Sequence, residues 1–265
     1  MLAIERHETD AHAIPSRMVQ DLGDALVLHD PRDPDPFWNR MARVRWPSDP
    51  AAFDRRLTAA MALFVTLGRR PHVWPSPVHA EPVDLAGRLA ANGFVDVGGG
   101  HLMVLVDRAA CGPVRPGEAG HGVTLQAIGR AGDARPGDAD DMARVLAAAF
   151  GALPGRVPEL AADLRLTLDD PRIMLAIARV DGAPASVAKA TSFDGHTYIS
   201  SVGTLPGFRG RGLAGLVTRH ALAAAGTRDR DTVYLGVFSG NRPALNVYER
   251  LGFASIGESP DLLLE

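Results

Sequence analysis

Residues 198–225 have the sequence YISSVGTLPGFRGRGLAGLVTRHALAAA, and this segment carries the clearest structural pattern in the chain. Its first five residues have the composition of a strand, and Gly203, Pro206 and Gly207 then interrupt the pattern. From Leu213 onward, apolar residues recur at spacings of three and four, which is typical of one face of a helix. These apolar residues are Leu213, Leu216, Val217, Ala221 and Ala224. The segment therefore predicts a strand, a tight loop and a helix in succession.

The loop between the predicted strand and helix is suited to binding an anion. The start of a helix has backbone N–H groups without partners and carries the positive end of the helix dipole. Gly210, Gly212 and Gly215 would let a ligand approach the main chain closely. Arg209 and Arg211 add positive charge, so a phosphate or diphosphate is the expected anion. A glycine-rich turn with solvated arginines is the alternative, because short glycine motifs also occur by chance.

Two known phosphate-binding motifs can be compared with this loop. The P-loop pattern does not occur in it. The same three glycines do spell G-x-G-x-x-G, the dinucleotide-binding fingerprint, but only about fifty residues follow, too few for the remaining units of that fold. The acidic residue expected after the next strand is also missing, since Ser239, Gly240 and Asn241 stand there. The assignment of the chain as a nicotinamide-dependent oxidoreductase would therefore be supported by the glycine motif alone.

A resemblance to a known family accounts for two segments at once. RGRGLA at residues 209–214 resembles the R/Q-x-x-G-x-G/A signature of the GCN5-related N-acetyltransferases (GNAT). NRPALNVYERLGF at residues 241–253 is similar to that family's N-x-x-A-x-x-x-Y-x-x-x-G-F segment. Both occur in the expected order with a strand predicted between them. The resemblance covers residues 120–265 well and the first half of the chain weakly.

Local patterns predict secondary structure along the whole chain. In the first half, helices are expected at 16–22, 51–67 and 83–91, and strands at 25–29, 37–46, 73–74 and 101–106. In the second half, helices are expected at 138–150, 158–168, from 213, and at 243–251. Strands are expected at 123–127, 173–180, 185–193, 196–202, 232–238 and 262–264, with Asp-Gly turns in an antiparallel meander.

The resemblance implies an α/β fold with a mixed sheet, the acyl-CoA N-acyltransferase fold of the GNAT family. Asn92-Gly93-Phe94 followed by the strand at 101–106 parallels Leu251-Gly252-Phe253 followed by 260–265, so the first half resembles a degenerate copy of the second. Two tandem GNAT-like domains are expected, at 1–115 and 120–265, with a glycine- and proline-rich linker at 108–121. The first half has no Arg/Gly loop. We therefore expect it to bind no acetyl-CoA and to form a cleft wall or an interface.

The resemblance also implies a substrate and a set of site residues. The donor would be acetyl-CoA, the acceptor a primary amine of a small molecule or peptide, and no metal would be required. The residues implied to bind acetyl-CoA are Val202, Gly203, Thr204, Arg209, Gly210, Arg211, Gly212, Leu213, Ala214, Gly215 and Asn241. A main-chain N–H near Val202 would stabilise the oxyanion. Tyr248 would be the general acid for the departing thiolate. The alternatives are packing for Tyr248, within an apolar helix stripe, and helix capping for Asn241.

No general base is assigned. An amine with a pKa near 10 has to lose a proton before it attacks. The strand at 196–202 carries no carboxylate, and Asp194 and His196 lie at its far end. His72, His79 and Glu81 in the first half remain possible, as does a base acting through water.

Composition restricts the class of protein. The 265 residues carry a formal net charge of −3, which argues against a general nucleic-acid-binding protein. No apolar run is as long as a membrane span, and the first residues lack a signal-peptide core, so a soluble, cytoplasmic protein is expected. The single cysteine, Cys111, excludes an internal disulfide and is expected to be a free thiol without a catalytic role. Zinc is not expected, because the nine histidines are scattered. A homodimer remains open.

The sequence leaves two functions in competition. The first is an acetyl-CoA-dependent N-acetyltransferase that works by direct attack of the amine in a ternary complex. The second is a non-catalytic acyl-CoA-binding or sensing module on the same scaffold, which the missing base favours. The acceptor stays open among small amines, amino acids, aminosugars and protein N-termini.

Overall fold

The computed structural model describes residues 2–265, which form seven α-helices and two mixed β-sheets. The chain divides into two compact units. The first unit contains the residues up to Met103 together with Gly236–Arg242 and Ser255–Glu265. The second unit contains Val104–Leu235 and Pro243–Ala254. Each unit is therefore assembled from separate stretches of chain, and the division into domains 1–115 and 120–265 stays a prediction.

The first 105 residues contain three helices and six strands within the described part of the chain. They are α1 (Leu2–Ala13), β1 (Met18–Asp21), β2 (Leu26–His29), β3 (Arg40–Ala42), α2 (Pro50–Thr66), β4 (His72–Val73), α3 (Leu85–Ala91), β5 (Phe94–Asp96) and β6 (Gly100–Leu105). The predicted helix at 16–22 is wrong, because Met18–Asp21 pairs with β2 as an antiparallel strand. The predicted strand at 37–46 shortens to β3, and α1 and β5 were not predicted.

The first sheet has the strand order β1-β2-β3-β4-β13-β5. Its inner strand β13 (Leu262–Leu264) pairs antiparallel with both β4 and β5, and Leu262 is opposite Val73 on one side and Asp96 on the other. One face of helix α2 is buried in the hydrophobic core of the first unit. The carboxylate of Asp49 accepts a hydrogen bond of 2.8 Å from the N–H of Ala52, and a proline follows it, so the helix start is capped.

The second half of the chain contains four helices and seven strands among the described residues. They are β7 (Val123–Ile128), α4 (Asp138–Phe150), α5 (Val157–Thr167), β8 (Ile173–Val180), β9 (Ala183–Phe193), β10 (His196–Thr204), α6 (Leu213–Ala224), β11 (Thr232–Phe238), α7 (Arg242–Arg250), β12 (Phe253–Ser259) and β13. Only β12 was not predicted. Asp181 and Asp194 have positive φ, as do the glycines after them, which confirms the two Asp-Gly turns.

The second sheet has the order β12-β6-β11-β10-β9-β8-β7. Strands β8 to β10 form the predicted antiparallel meander. Strand β7 pairs antiparallel with β8, and β10 pairs with β11 in parallel. Buried Arg179 on β8 donates to Asp138 at 2.6 Å and to Asp141 at 2.7 Å. Both carboxylates lie in the first turn of α4. This ion-pair network therefore ties the start of α4 to the sheet.

Candidate functional site

Strands β10 and β11 separate at their carboxyl ends. Their parallel register runs from His196 opposite Thr232 to Ile199 opposite Leu235, whereas both strands continue for several residues beyond these positions. Two strands that leave a common ladder present main-chain groups to the gap between them. This gap is the first element of the candidate site.

A bulge interrupts β10 at the same level. Ser200 is opposite Lys189 on β9, and the next paired residue is Gly203, opposite Val187. The intervening Ser201 has a φ of +53°, in the left-handed region. A bulge bends its strand and removes residues from the ladder, so the main chain at Ser201 and Val202 is turned out of the pairing with β9. Ser-Ser-Val contains no glycine, so the local residue types do not predict this bulge.

The end of β10 is held by close contacts. The hydroxyl of Ser186 donates to the carbonyl of Gly203 at 2.9 Å and lies 2.8 Å from the hydroxyl of Thr204. A Cβ on Gly203 would lie 3.0 Å from the Cβ of Ala149 on α4. Gly203 therefore allows helix α4 to pack against the strand, and the backbone that leads into the next loop is fixed.

The loop of residues 205–212, the glycine loop, connects β10 to α6. Gly210 has a φ of +76° and Gly212 a φ of +74°, and a Cβ at either would meet no described atom within 4 Å. Gly212 is the N-cap of α6, and within the described chain no side chain caps this helix start. Leu213, the first helical residue, is buried against Val180 and Ala185. The first turn of α6 is therefore anchored on the sheet and open on the side of the loop.

Two arginines give the glycine loop a positive charge. Arg209 is exposed, and its Nε donates to the carbonyl of Thr204 at 3.3 Å. Arg211 is exposed as well, with its guanidinium 5.8 Å from the ring of Phe208. By contrast, Gly215 lies at ordinary contact distance from α7, since its Cβ would be 3.9 Å from Val247 in that helix. The loop, its arginines and the helix dipole together favour an anion at the start of α6.

Tyr248 lies in the middle of α7 and is buried. Its ring packs edge-on against Phe253, with 6.0 Å between the ring centroids. Burial raises the pKa of the phenol, so the hydroxyl stays protonated at neutral pH and can act as a donor. Asn241 directly precedes α7 and is exposed, and its N–H donates to the carbonyl of Phe238 at 2.9 Å. The predicted roles of Tyr248 and Asn241 toward acetyl-CoA stay predictions.

Three possible bases lie in the first unit. His72 is buried and both of its ring nitrogens have partners: Nδ1 lies 2.7 Å from a backbone carbonyl and Nε2 contacts Asp261. Glu81 is exposed and lies 3.9 Å from Arg45. His79 is held through its N–H in the loop that follows β4. His72 is therefore occupied in a structural role, and the structure does not single out Glu81 or His79.

The other two possible bases lie at the start of β10. Nδ1 of His196 lies 2.8 Å from the carbonyl of Asp194 in the turn that precedes the strand. The nine residues of β10 separate this turn from the glycine loop by about 25 Å. Asp194 and His196 are therefore too distant to serve a reaction at the carboxyl end of the strand.

Cys111 is free and buried. Burial raises the pKa of its thiol to about 11, although Arg219 and Arg108 act in the opposite direction. The thiol therefore stays protonated and weakly nucleophilic at neutral pH.

Residues 2–265 contain neither a candidate metal site nor a candidate membrane span. In this part of the chain, no three His, Cys, Asp or Glu residues are grouped so that they could hold a metal ion. None of its helices combines the length and the apolar character needed to cross a bilayer.

Comparison with known proteins finds a family similarity within the second half of the chain. Residues 141–253 match the model of the acetyltransferase (GNAT) family. The matched segment, which includes the glycine loop and Tyr248, is similar to the GNAT family.

Particular relatives are similar over different lengths. Streptothricin acetyltransferase from Streptomyces lavendulae is 32% identical over 90 residues, which is 33% of this chain and 47% of that enzyme. The chain thus matches about half the length of this curated relative.

Two solved structures share the fold over most of the chain. A GCN5-related N-acetyltransferase from Kribbella flavida has a TM-score of 0.71 and 22% identity, covering 99% of this chain and 94% of its own. A tandem GNAT protein from the clavulanic acid biosynthesis pathway has a TM-score of 0.61 and 17% identity, covering 82% of this chain and 70% of its own. These likenesses, together with the two mixed sheets, confirm the predicted mixed α/β GNAT fold.

Proposed function

We propose that this protein transfers an acetyl group from acetyl-CoA to the primary amine of an acceptor. The observation that supports this most directly is the uncapped start of α6, with Gly210 and Gly212 open to approach. The diphosphate of acetyl-CoA would accept hydrogen bonds from the N–H groups of residues 210–215, and Arg209 and Arg211 would add positive charge. The acyl arm would lie along residues 202–204, beside the gap between β10 and β11.

The chemistry follows from the groups around this gap. The amine attacks the thioester carbonyl, and the negative charge that develops on its oxygen is stabilised by the main-chain N–H near Val202, which the bulge removes from the ladder. The C–S bond then breaks as the carbonyl re-forms, and the thiolate takes a proton from the phenol of Tyr248. The nitrogen loses one proton to solvent as the amide forms, and the phenolate regains a proton from solvent. The raised pKa keeps this phenol protonated at neutral pH, so its O–H is available to the departing sulfur.

The first half of the chain is proposed to bind no acetyl-CoA. Its corresponding helix, α2, begins at Pro50 and is capped by the carboxylate of Asp49. An acidic cap occupies an N–H of the first turn and repels a phosphate. We therefore expect one acetyl-CoA site per chain. The cytoplasmic location and the possible homodimer stay predictions.

A small-molecule amine is the proposed acceptor class. The relative from Streptomyces lavendulae is named for streptothricin, which is therefore the first acceptor to test. The partial coverage of that match leaves lysine, spermidine, glucosamine and a short peptide with a free N-terminus as further candidates.

Calorimetric titration with acetyl-CoA, with NAD and NADP as controls, tests the proposal. Saturable binding of one acetyl-CoA per chain and release of CoA thiol with at least one amine would support it. Binding without thiol release with any of these amines would favour the acyl-CoA-sensing module instead. No binding of acetyl-CoA would overturn both functions, and binding of NAD alone would restore the oxidoreductase.

A further inference from the structure

Lysine occurs at a single position of this chain. Lys189 is the only lysine in a sequence that has 28 lysines and arginines in total, so every other strongly basic side chain is an arginine. It lies in the middle of β9 and is half-buried, between Ala188 and Ala190, which are 0% exposed. The lysine ammonium is a compact point charge with three hydrogen-bond donors. A charge at such a position is costly unless a negative group binds it.

Two hydroxyl side chains share the face of the sheet on which Lys189 lies. Ser200 on β10 is directly opposite Lys189, and Thr191 is two residues further along β9. The pairing of β9 with both neighbouring strands is regular between Lys189 and Thr191, so the three side chains point to the same side of the sheet. The Cβ atoms of a directly opposed pair are about 5 Å apart. These three residues are called the Lys189 cluster below.

Both hydroxyl groups of the Lys189 cluster are able to bind a ligand. Oγ1 of Thr191 and Oγ of Ser200 are buried, and neither has a hydrogen-bond partner within the described part of the chain. Thr191 as a whole is 0% exposed, whereas Ser200 is half-buried. Buried hydroxyl groups in folded proteins normally make a hydrogen bond, because a buried polar group without one is destabilising. Each hydroxyl can donate to an oxygen atom of a ligand.

The Lys189 cluster lies on the side of the sheet that helix α4 covers. Gly203 is opposite Val187, and a Cβ on Gly203 would lie 3.0 Å from the Cβ of Ala149 on α4. Val187 and Lys189 are two residues apart on β9, so both lie on the α4 side. All of these residues belong to the second compact unit, as do the glycine loop and Tyr248.

The cluster is adjacent to the proposed position of the thioester. Ser200 is the last paired residue before the bulge, and Val202, near which the oxyanion is proposed to be stabilised, follows two residues later. Two residues of a strand span about 7 Å. A small molecule with a negative group bound at the cluster can therefore bring an amine to the thioester carbonyl.

We propose that Lys189 and the hydroxyls of Thr191 and Ser200 bind the carboxylate of the acceptor, which is therefore an amino acid. This inference rests on the proposed function. The ammonium balances the single charge of a carboxylate, and the ammonium and the two hydroxyls supply donors to its two oxygens. A polyamine such as spermidine is disfavoured, because Lys189 repels its positive charges.

Matched pairs of acceptors test this inference with the full chain. Free lysine and cadaverine, tyrosine and tyramine, and histidine and histamine differ within each pair by the carboxylate alone. Release of CoA thiol from acetyl-CoA is measured with all of these compounds. For at least one pair, the wild-type kcat/KM should be about 10- to 100-fold higher for the amino acid than for its amine, as expected for a charge-assisted hydrogen bond.

Lys189→Gln should remove this preference. Its KM for the preferred amino acid should rise about 10- to 100-fold, and its KM for the matching amine should not rise, because the amine has no carboxylate to bind. The Kd for acetyl-CoA should not change. Arg165→Gln is the matched control, because Arg165 on α5 is also cationic, is 50% exposed and pairs with Asp140. It should leave both KM values unchanged.

Two outcomes would overturn the inference. The first is that the wild type uses the amine of every pair as well as its amino acid. The second is that Lys189→Gln keeps the preference, as the control should. Thermal unfolding checks that each variant is folded. Should Lys189→Gln not fold, Ser200→Ala carries the test: the preference should fall about 3- to 10-fold with the loss of one hydroxyl donor, and an unchanged preference would overturn the inference.

A second readout distinguishes this inference from the proposed function. Because Lys189 is the only lysine, protein labelled with ¹³C at the lysine Cε gives a single Cε resonance by NMR. If the wild type releases no thiol with any of the compounds, this resonance is followed during titration with the same pairs. A saturable shift with an amino acid but not with its amine would retain the carboxylate site without acetyl transfer. No shift with any amino acid, or equal shifts within every pair, would contradict it.

Discussion

Gly212→Val should abolish acetyl-CoA binding while the protein remains folded. At a φ of +74° the new side chain strains the backbone by about 1–2 kcal/mol, which lowers Tm by about 2–8 °C in a protein of this size. The Cβ meets no described atom within 4 Å, so no packing is lost. The valine methyl groups would instead lie in front of the first turn of α6, where the diphosphate is proposed to bind. Loss of two charge-assisted hydrogen bonds raises Kd more than about 100-fold.

Gly195→Val is the matched control for this substitution. Gly195 lies in the turn between β9 and β10 with a φ of +72° and is likewise open within 4 Å, so the backbone strain is nearly the same. Both variants are compared with the wild type by calorimetric titration with acetyl-CoA and by thermal unfolding. We expect similar losses of Tm, but loss of binding only for Gly212→Val.

Two outcomes would refute this reasoning. Undiminished binding by Gly212→Val would mean that the diphosphate does not occupy the start of α6. Equal weakening of binding in both variants would attribute the effect to general strain and remove the argument for the glycine loop.

Three further substitutions test other parts of the structure. Tyr248→Phe should lower kcat about 100-fold with little change in KM for acetyl-CoA, measured by thiol release, because the leaving thiolate loses its proton donor. Arg179→Met should lower the free energy of unfolding in urea by about 3 kcal/mol, since buried Asp138 loses its cation. The hydrogen bond from Arg219 lowers the pKa of Glu118 from 4.5 to about 2. The ionised Glu118 therefore stabilises the folded protein fully above pH 4.5, and this contribution is lost as the pH falls toward 2. Glu118→Gln should therefore flatten the pH dependence of Tm in that window.

Each of these predictions has an outcome that contradicts it. An unchanged kcat for Tyr248→Phe would make the tyrosine a packing residue. An Arg179→Met protein as stable as the wild type would mean that apolar packing compensates for the lost ion pairs. A Tm that falls equally in acid for Glu118→Gln and the wild type would show that Glu118 does not contribute to acid unfolding.

Local sequence patterns predicted the bounds of a helix or strand correctly where its own residues mark its start and end. The helix Asp138–Phe150 has acidic residues at its start and a glycine after its end, and the strands Ile173–Val180 and Thr232–Phe238 are continuous apolar runs. All three have the predicted bounds. The positive φ angles of Gly210 and Gly212 also agree with residue type alone, because glycine adopts such angles without steric cost.

Elements that depend on distant partners were missed. Strand β1 has exposed or half-buried residues and forms through its pairing with β2, and β5 has only three residues. Strand β12 contains Gly257 and polar residues, so its pattern resembles a loop. The positive φ of Ser201 likewise arises from the pairing of β10 with β9, which no local pattern encodes.

The inner position of β13 in the first sheet constrains how the chain can fold during synthesis. Asp261, which precedes this strand, contacts His72 across 189 residues of sequence. The ribosome therefore releases most of the second unit before β4 and β5 receive the strand that lies between them. Until then both strands expose unpaired edges, the feature that promotes misassembly between nascent chains. A three-residue strand thus makes completion of the first unit depend on a segment that is translated after the second unit.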